Sequence, residues 1–185
     1  MREQLIKSLN TGDILLVNSK GFLPRAIQLF QGNEYNHAAM YVSIWDEPFV
    51  AEADKKGVQF THLDHYTSNP DRYKLMFLKP NFYIDERQFA LQATSLAGSV
   101  NYDFINLFIH QSIKMVTGKW IGRKGKKASN RFICGEFVAY VYCECTETVF
   151  QEWWNIAPKD LYNSENFSHF TYDNINNNLT LEAKK

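Results

Sequence analysis

The stretch Arg131–Tyr142, RFICGEFVAYVY, decides how this chain is read. Cys134, Phe137, Val138, Val141 and Cys145 recur at helical spacing and form one apolar stripe. Ser129 and Asn130, just upstream, are residue types that cap helix starts, so Cys134 is expected within the first turn. Backbone N–H groups in a first turn have no intrahelical acceptor, and the helix dipole favours negative charge there. A thiolate is stabilised in such a place, and the thiolate is the reactive form of cysteine, with a pKa of about 3–7 in activated examples. A free cysteine on an apolar stripe is also a good buried filler. Both readings stand until the rest of the chain is considered.

Outward from that helix, the chain has 185 residues, enough for one domain with a real core, and it is expected to form a single domain over 1–185 with a polar tail from about 165. Its formal net charge is zero, which gives no global field for nucleic acid. Fourteen Phe, ten Tyr and four Trp suit a packed core with an aromatic-lined cleft and argue against disorder. Three cysteines do not make a disulfide framework; they fit a reducing compartment or a free reactive thiol. MREQLIKSLNTGD at the N-terminus has no long apolar run, so no signal peptide is read, and no stretch approaches a membrane span. The expectation is a soluble product, cytoplasmic as synthesised, with non-classical export left open.

Local patterns give the order of elements. Residues 3–9 read as a short helix and Ile14–Val17 as a buried strand. Residues 22–31 read as a helix with Pro24 near its start. Strand-like runs His37–Trp45, Phe49–Ala53 and Gly57–His62 are separated by Asp46-Glu47-Pro48 and Asp54-Lys55-Lys56-Gly57, which predicts an antiparallel meander. Tyr73–Leu78 is a further strand. Residues 85–98 and 103–117 read as helices joined by a turn ending at Tyr102, and Phe167–Tyr172 is one strand in an Asn-rich tail. Strands first and helices later argue for α+β.

His37 opens the first strand of the meander, and Glu52 lies in FVAEA between alanines. A carboxylate inside an apolar strand costs several kcal/mol unless it is paired, and a histidine is a natural partner. A cysteine nucleophile needs a base, and the base needs a third group to hold its tautomer. Cys134, His37 and Glu52 supply one of each, although a carboxylate, an amide or a second histidine can fill the third role. One geometric difficulty follows from the pattern. With the turn at Asp46-Glu47-Pro48, Glu52 falls near Ser43, far from His37; bringing the two together needs an earlier turn or a bulge.

Several stretches carry a resemblance: GDILLV (12–17), NHAAMYV (36–42), FVAEA (49–53), NYDF (101–104), FICGEFVAYVY (132–142) and APKDLYNS (157–164). In this order they resemble the circularly permuted branch of the NlpC-type cell-wall peptidase superfamily, the YiiX-like proteins, in which the histidine strand precedes the cysteine helix. The resemblance implies a permuted papain-like α+β fold, with an antiparallel, barrel-like sheet packed against helices. It implies Cys134 as nucleophile, His37 as base, Glu52 as third member and Tyr102 as substrate or oxyanion contact. It also implies a thiol hydrolase of amides or esters (cell-wall peptides, or N-acyl and lipid-type substrates) that needs no metal or cofactor. Lecithin–retinol acyltransferase-type transfer, or binding without catalysis, are the alternatives. The family commonly has serine after the cysteine; here Gly135 stands, and glycine keeps the backbone accessible.

The remaining candidates weigh toward structure. Cys143 and Cys145 lack a second ligand pair for zinc and read as packing. His62 and His65 read as surface residues, Asp13 as a local backbone binder, and His110 and His169 show no evident partner. Trp153 and Trp154 read as packing over the helix or as a cleft wall. The basic run from Lys119 to Arg131 reads as a solvated loop, with an anionic ligand as the sharper alternative.

Overall fold

The computed structural model describes residues 2–20, 34–98, 101–102, 113–114, 117–119, 121–122, 124, 131–146, 149–173 and 178–182. The chain order is α1 (Arg2–Ser8), β1 (Ile14–Ser19), β2 (His37–Ile44), β3 (Glu47–Asp54), β4 (Gly57–His62), α2 (Asp64–Thr67), β5 (Tyr73–Pro80), α3 (Glu86–Leu96), β6 (Asn101–Tyr102), β7 (Arg131–Phe132), α4 (Cys134–Thr146), α5 (Pro158–Asn163), β8 (Phe167–Asp173) and β9 (Asn178–Glu182). A 3₁₀ turn at Trp153–Asn155 precedes α5. Seven strands form one antiparallel sheet in the order β4-β3-β2-β1-β5-β8-β9.

The apolar run of β1 is buried on both faces, as a central strand with covered faces must be. Ile14 and Leu16 join the cluster formed with α4 and α3, while Leu15 and Val17 join a second cluster with α1 and α2. Small residues Ala38, Ala51 and Ala53 lie in the first cluster, where α4 packs on β2 and β3. Gly12, at φ +103°, ties the start of β1 to the helices, because Tyr142 of α4 donates to its carbonyl at 2.6 Å. A Cβ there would collide with Ile84 Cδ1.

The tail is less plain than its composition suggests. β8 pairs with β5 and β9 with β8, so the Asn-rich stretch extends the sheet by two strands instead of one. β8 buries Phe167, His169 and Tyr172 among half-exposed residues, a pattern that polar composition masks. The expected helix at 22–31 and most of that at 103–117 lie outside the described residues. Among the described residues no helix is long and apolar enough to cross a membrane.

Candidate active site

The hairpin loop joining β2 and β3 is Trp45-Asp46, both at positive φ (52° and 63°), as a two-residue loop matched to strand twist requires. This loop lies earlier than the expected Asp46-Glu47-Pro48 turn. Met40 therefore pairs with Ala51, and the same register carried on sets Glu52 level with Ala39. His37 and Ala39 point to one face of β2, so His37 becomes a diagonal neighbour of Glu52 with no bulge needed. His37 Nε2 and Glu52 Oε2 are 2.6 Å apart.

Glu52 is 3% exposed and its carboxylate is fully occupied. Tyr66 of α2 donates its hydroxyl to Oε2 at 2.6 Å, the oxygen that also meets His37. Thr61 of β4 donates to Oε1, and Gln59 donates to the same oxygen at 3.4 Å. Burial alone would push the Glu52 carboxyl upward. The hydrogen bond and charge of His37, with the Thr61 and Tyr66 hydroxyls, outweigh it and bring the group down to about 2. Burial likewise pulls His37 down, but the influence of Cys134 and the hydrogen bond and charge of Glu52 carry it well above the ordinary histidine value. Nε2 is the ring nitrogen that Glu52 engages.

Cys134 is the first residue of α4 and is buried. The capping differs from expectation. Arg131–Phe132 is strand and the residue directly before the helix is Ile133, which has no side-chain acceptor; Ser129 and Asn130 lie outside the described residues. Instead Glu136, buried at the third helical position, reaches back to accept from the Ile133 N–H at 3.2 Å. This is the acidic half of a capping box. The sequence signal for it, an acid three residues after the position preceding the cysteine, went unread. α5 repeats the device, with Asp160 accepting from the Ala157 N–H at 2.9 Å and from Lys114 Nζ at 3.0 Å.

Gly135 is held by close approach. A Cβ there would sit 2.7 Å from the Ile156 carbonyl oxygen and 2.9 Å from the Ala157 carbonyl carbon. Both are backbone atoms ahead of α5 and cannot swing aside. Gly135→Ala is expected to cost about 1–3 kcal/mol by pushing α4 off this segment, read as a lower melting temperature. An unchanged melting temperature would mean that the segment yields freely.

Tyr102 is not in a turn between helices. It lies in β6, which pairs in parallel with β7 so that Tyr102 is level with Phe132, two residues before Cys134. Its side chain lies outside what the structure describes. The basic run from Lys119 to Arg131 is described only at Lys119, Ile121, Gly122, Lys124 and Arg131.

The other candidates fall away from this centre. Cys143 and Cys145 are half-buried and their thiols are pushed up by burial and Glu144, Cys145 to about 11. His62 lies 3.5 Å from both Glu47 and Asp64 at the surface end of β4. His65 meets the Tyr73 hydroxyl at 3.1 Å. Asp13 does bind local backbone, the Asn10 N–H at 3.0 Å, and also pairs with Lys79 at 2.7 Å. Trp153 packs over α4 against Tyr140, with ring centroids 4.7 Å apart. Sequence reading missed Tyr66 and Thr61. Thr61 shares the alternation of Gln59, while Tyr66 sits in a short helix that reads as polar loop.

A cysteine at a helix start, meeting a histidine on an antiparallel strand that comes earlier in the chain, defines a papain-like fold in permuted order. The chain belongs to the family of permuted papain-like amidase enzymes, YaeF/YiiX, C92, whose profile matches residues 8–169. No match was found among curated proteins. Among solved structures, the chain is similar to the metalloprotein yiiX from Escherichia coli O157:H7, with a TM-score of 0.63 and 18% identity over 95% of this chain and 97% of that one. That likeness is one of fold. Among the described residues here, no group of three or more His, Cys, Asp and Glu side chains is arranged to hold a metal ion.

Proposed function

We propose that this chain is a cysteine hydrolase that cleaves an amide or ester bond through a thioester on Cys134. The observation that supports it most is the His37 ring, held at 2.6 Å by the buried, fully occupied carboxylate of Glu52, with Cys134 among the groups that raise its proton affinity. His37 takes the thiol proton, and the thiolate attacks the substrate carbonyl carbon. The oxyanion forms beside the N–H groups of the first turn of α4, which have no intrahelical acceptor. The imidazolium returns its proton to the leaving amine or alcohol as the carbonyl–heteroatom bond breaks, leaving the thioester. Water, deprotonated by His37, then attacks the thioester and releases the acid. Glu52 holds the imidazole and stabilises its charged form throughout. Cell-wall peptides and N-acyl or lipid-type amides and esters are the substrate classes to try.

The test is trapping. Mixing the protein with p-nitrophenyl acyl esters and quenching in acid should give a protein heavier by one acyl group, mapped to Cys134 and missing from Cys134→Ala. Adduct on another residue, or an equal adduct in Cys134→Ala, would remove the nucleophile. Adding a primary alcohol or amine during turnover separates hydrolysis from transfer to another acceptor.

Tyr102 is assigned the second oxyanion contact in this reading, and Tyr102→Phe keeps the ring. Loss of one such donor costs about 10²–10³ in rate. The expected outcome is a fall in kcat of that size with an unchanged melting temperature. A lower melting temperature with normal turnover would make Tyr102 structural.

A further inference from the structure

We propose that Tyr66 and Thr61 form a hydroxyl clamp on Glu52 that fixes the carboxylate against His37, making them positioning residues for the reaction. The proposal rests on the hydrolase reading above.

The geometry is specific. A glutamate side chain has three rotatable bonds, and one contact to a histidine does not fix it. Here both carboxylate oxygens are held from directions other than His37. Tyr66 comes from α2 and shares Oε2 with the imidazole. Thr61 comes from β4 and holds Oε1. Bonds of this kind, donated to a charged acceptor, are the strong ones. The groups facing Glu52 are thus His37 of β2, Gln59 and Thr61 of β4, and Tyr66 of α2, all of them donors.

Tyr66 is itself well held. It is 6% exposed, its ring lies tilted 27° from the His37 ring at 6.5 Å, and it packs edge-on to Tyr73 at 5.1 Å and His65 at 5.0 Å. Burial and the Glu52 charge, with smaller contributions from Tyr73 and Asp54, raise its hydroxyl far above the ordinary tyrosine value. The hydroxyl therefore stays protonated and acts only as a donor to the carboxylate. α2 is four residues long and would contribute little core by itself. Its placement brings a buried hydroxyl to the one oxygen that the base uses.

If the clamp sets the carboxylate, losing it frees Glu52 to leave the ring. The imidazolium then loses a partner and gives up its proton at lower pH. The test uses the whole chain and needs no substrate. The variants are Tyr66→Phe and Thr61→Val, each alone and combined with Glu52→Gln, with His37→Asn as the check on the base and Tyr73→Phe as a control. Tyr73→Phe removes a hydroxyl bonded to His65 in the same aromatic cluster without touching Glu52. Two readings are taken: the rate of Cys134 alkylation by iodoacetamide at pH 6, and the titration midpoint of the His37 ring by proton NMR.

Tyr66→Phe and Thr61→Val are each expected to slow alkylation about tenfold, the scale of one hydrogen bond to a charged group. Each should also lower the His37 midpoint by roughly one pH unit. In the Glu52→Gln background neither should add a further change, because residues acting through one partner are not additive. Tyr73→Phe should match the parent protein. Wild-type alkylation and titration in both clamp variants, or effects that persist in full on top of Glu52→Gln, would overturn the clamp. Slow alkylation in His37→Asn beside those outcomes keeps the hydrolase reading while rejecting the clamp. Unslowed alkylation in His37→Asn instead removes the base itself, and with it the clamp's purpose.

Discussion

Iodoacetamide at pH 6 should alkylate Cys134 at least about tenfold faster than Cys143 or Cys145, thiolate being the species that reacts. The contrast follows from what surrounds each sulfur. Cys143 and Cys145 are half-buried beside Glu144, and burial with that negative charge holds their protons on, Cys145 to about 11. Cys134 opens a helix and is among the groups that carry the His37 imidazole well above the ordinary histidine range. Burial opposes reaction at Cys134, so the outcome weighs charge against access. The reagent is small and the proposed substrate must reach the same atom, so access should not reverse the order. Peptide mapping after a short exposure reads all three sites at once. Equal labelling, or labelling that spares Cys134, would return it to the role of core filler.

Removing Glu52 should have the second large effect, on stability and on activity together. The Glu52 carboxyl, brought down from 4.5 to about 2, corresponds to about 3 kcal/mol by which His37, Thr61 and Tyr66 together outweigh the cost of burial for the charged form. For the carboxylate, a lowered folded value means stability present above pH 4.5 and lost as pH falls toward 2. For His37, a raised folded value means stability present below 6.5 and lost as pH rises through that higher value. The gap between the parent protein and Glu52→Gln should therefore be widest from about pH 4.5 to 6.5 and close toward pH 2. At its widest it is expected to lower the melting temperature by roughly 6–12 °C for a chain of this size. Glu52→Gln should still fold and keep weak turnover, because in the proposed mechanism Glu52 orients the base and does not carry the transferred proton. Melting curves at pH 3, 5 and 7 check this. A pH-independent gap would assign the loss to packing, and a Glu52→Ala protein with full stability and activity would mean that another group holds His37.

The elements around the site were legible because their signals are local. β1 is an unbroken apolar run, Gly57–His62 is bounded by a Lys-Lys-Gly turn and a short polar helix, and the apolar stripe through Cys134 has helical period. Each can be read within a window of about ten residues. The order of histidine strand before cysteine helix is likewise a property of the chain and needs no coordinates. Burial of Glu52 between alanines was legible as a demand for a partner, without naming the partner's geometry.

What tertiary structure alone decided is the register and the donors. Trp45 and Asp46 adopt left-handed backbone although neither is glycine or asparagine, so turn propensity pointed to the wrong loop. That choice moves the level of Glu52 from near Ser43 to Ala39 and brings it beside His37. The Tyr66 hydroxyl reaches Glu52 across 14 positions, from a four-residue helix whose place depends on the strands either side of it. The cap of α4 comes from Glu136 inside the helix, because Ile133, the residue before Cys134, has no side-chain acceptor to offer. β9 forms in an Asn-rich stretch because β8 offers it an edge to pair with, a hydrogen-bonding opportunity that composition does not record. Sequence patterns at periods of 2 and 3.6 fix which residues face one side of an element. Which element lies opposite, and at what offset, is set by the packed sheet.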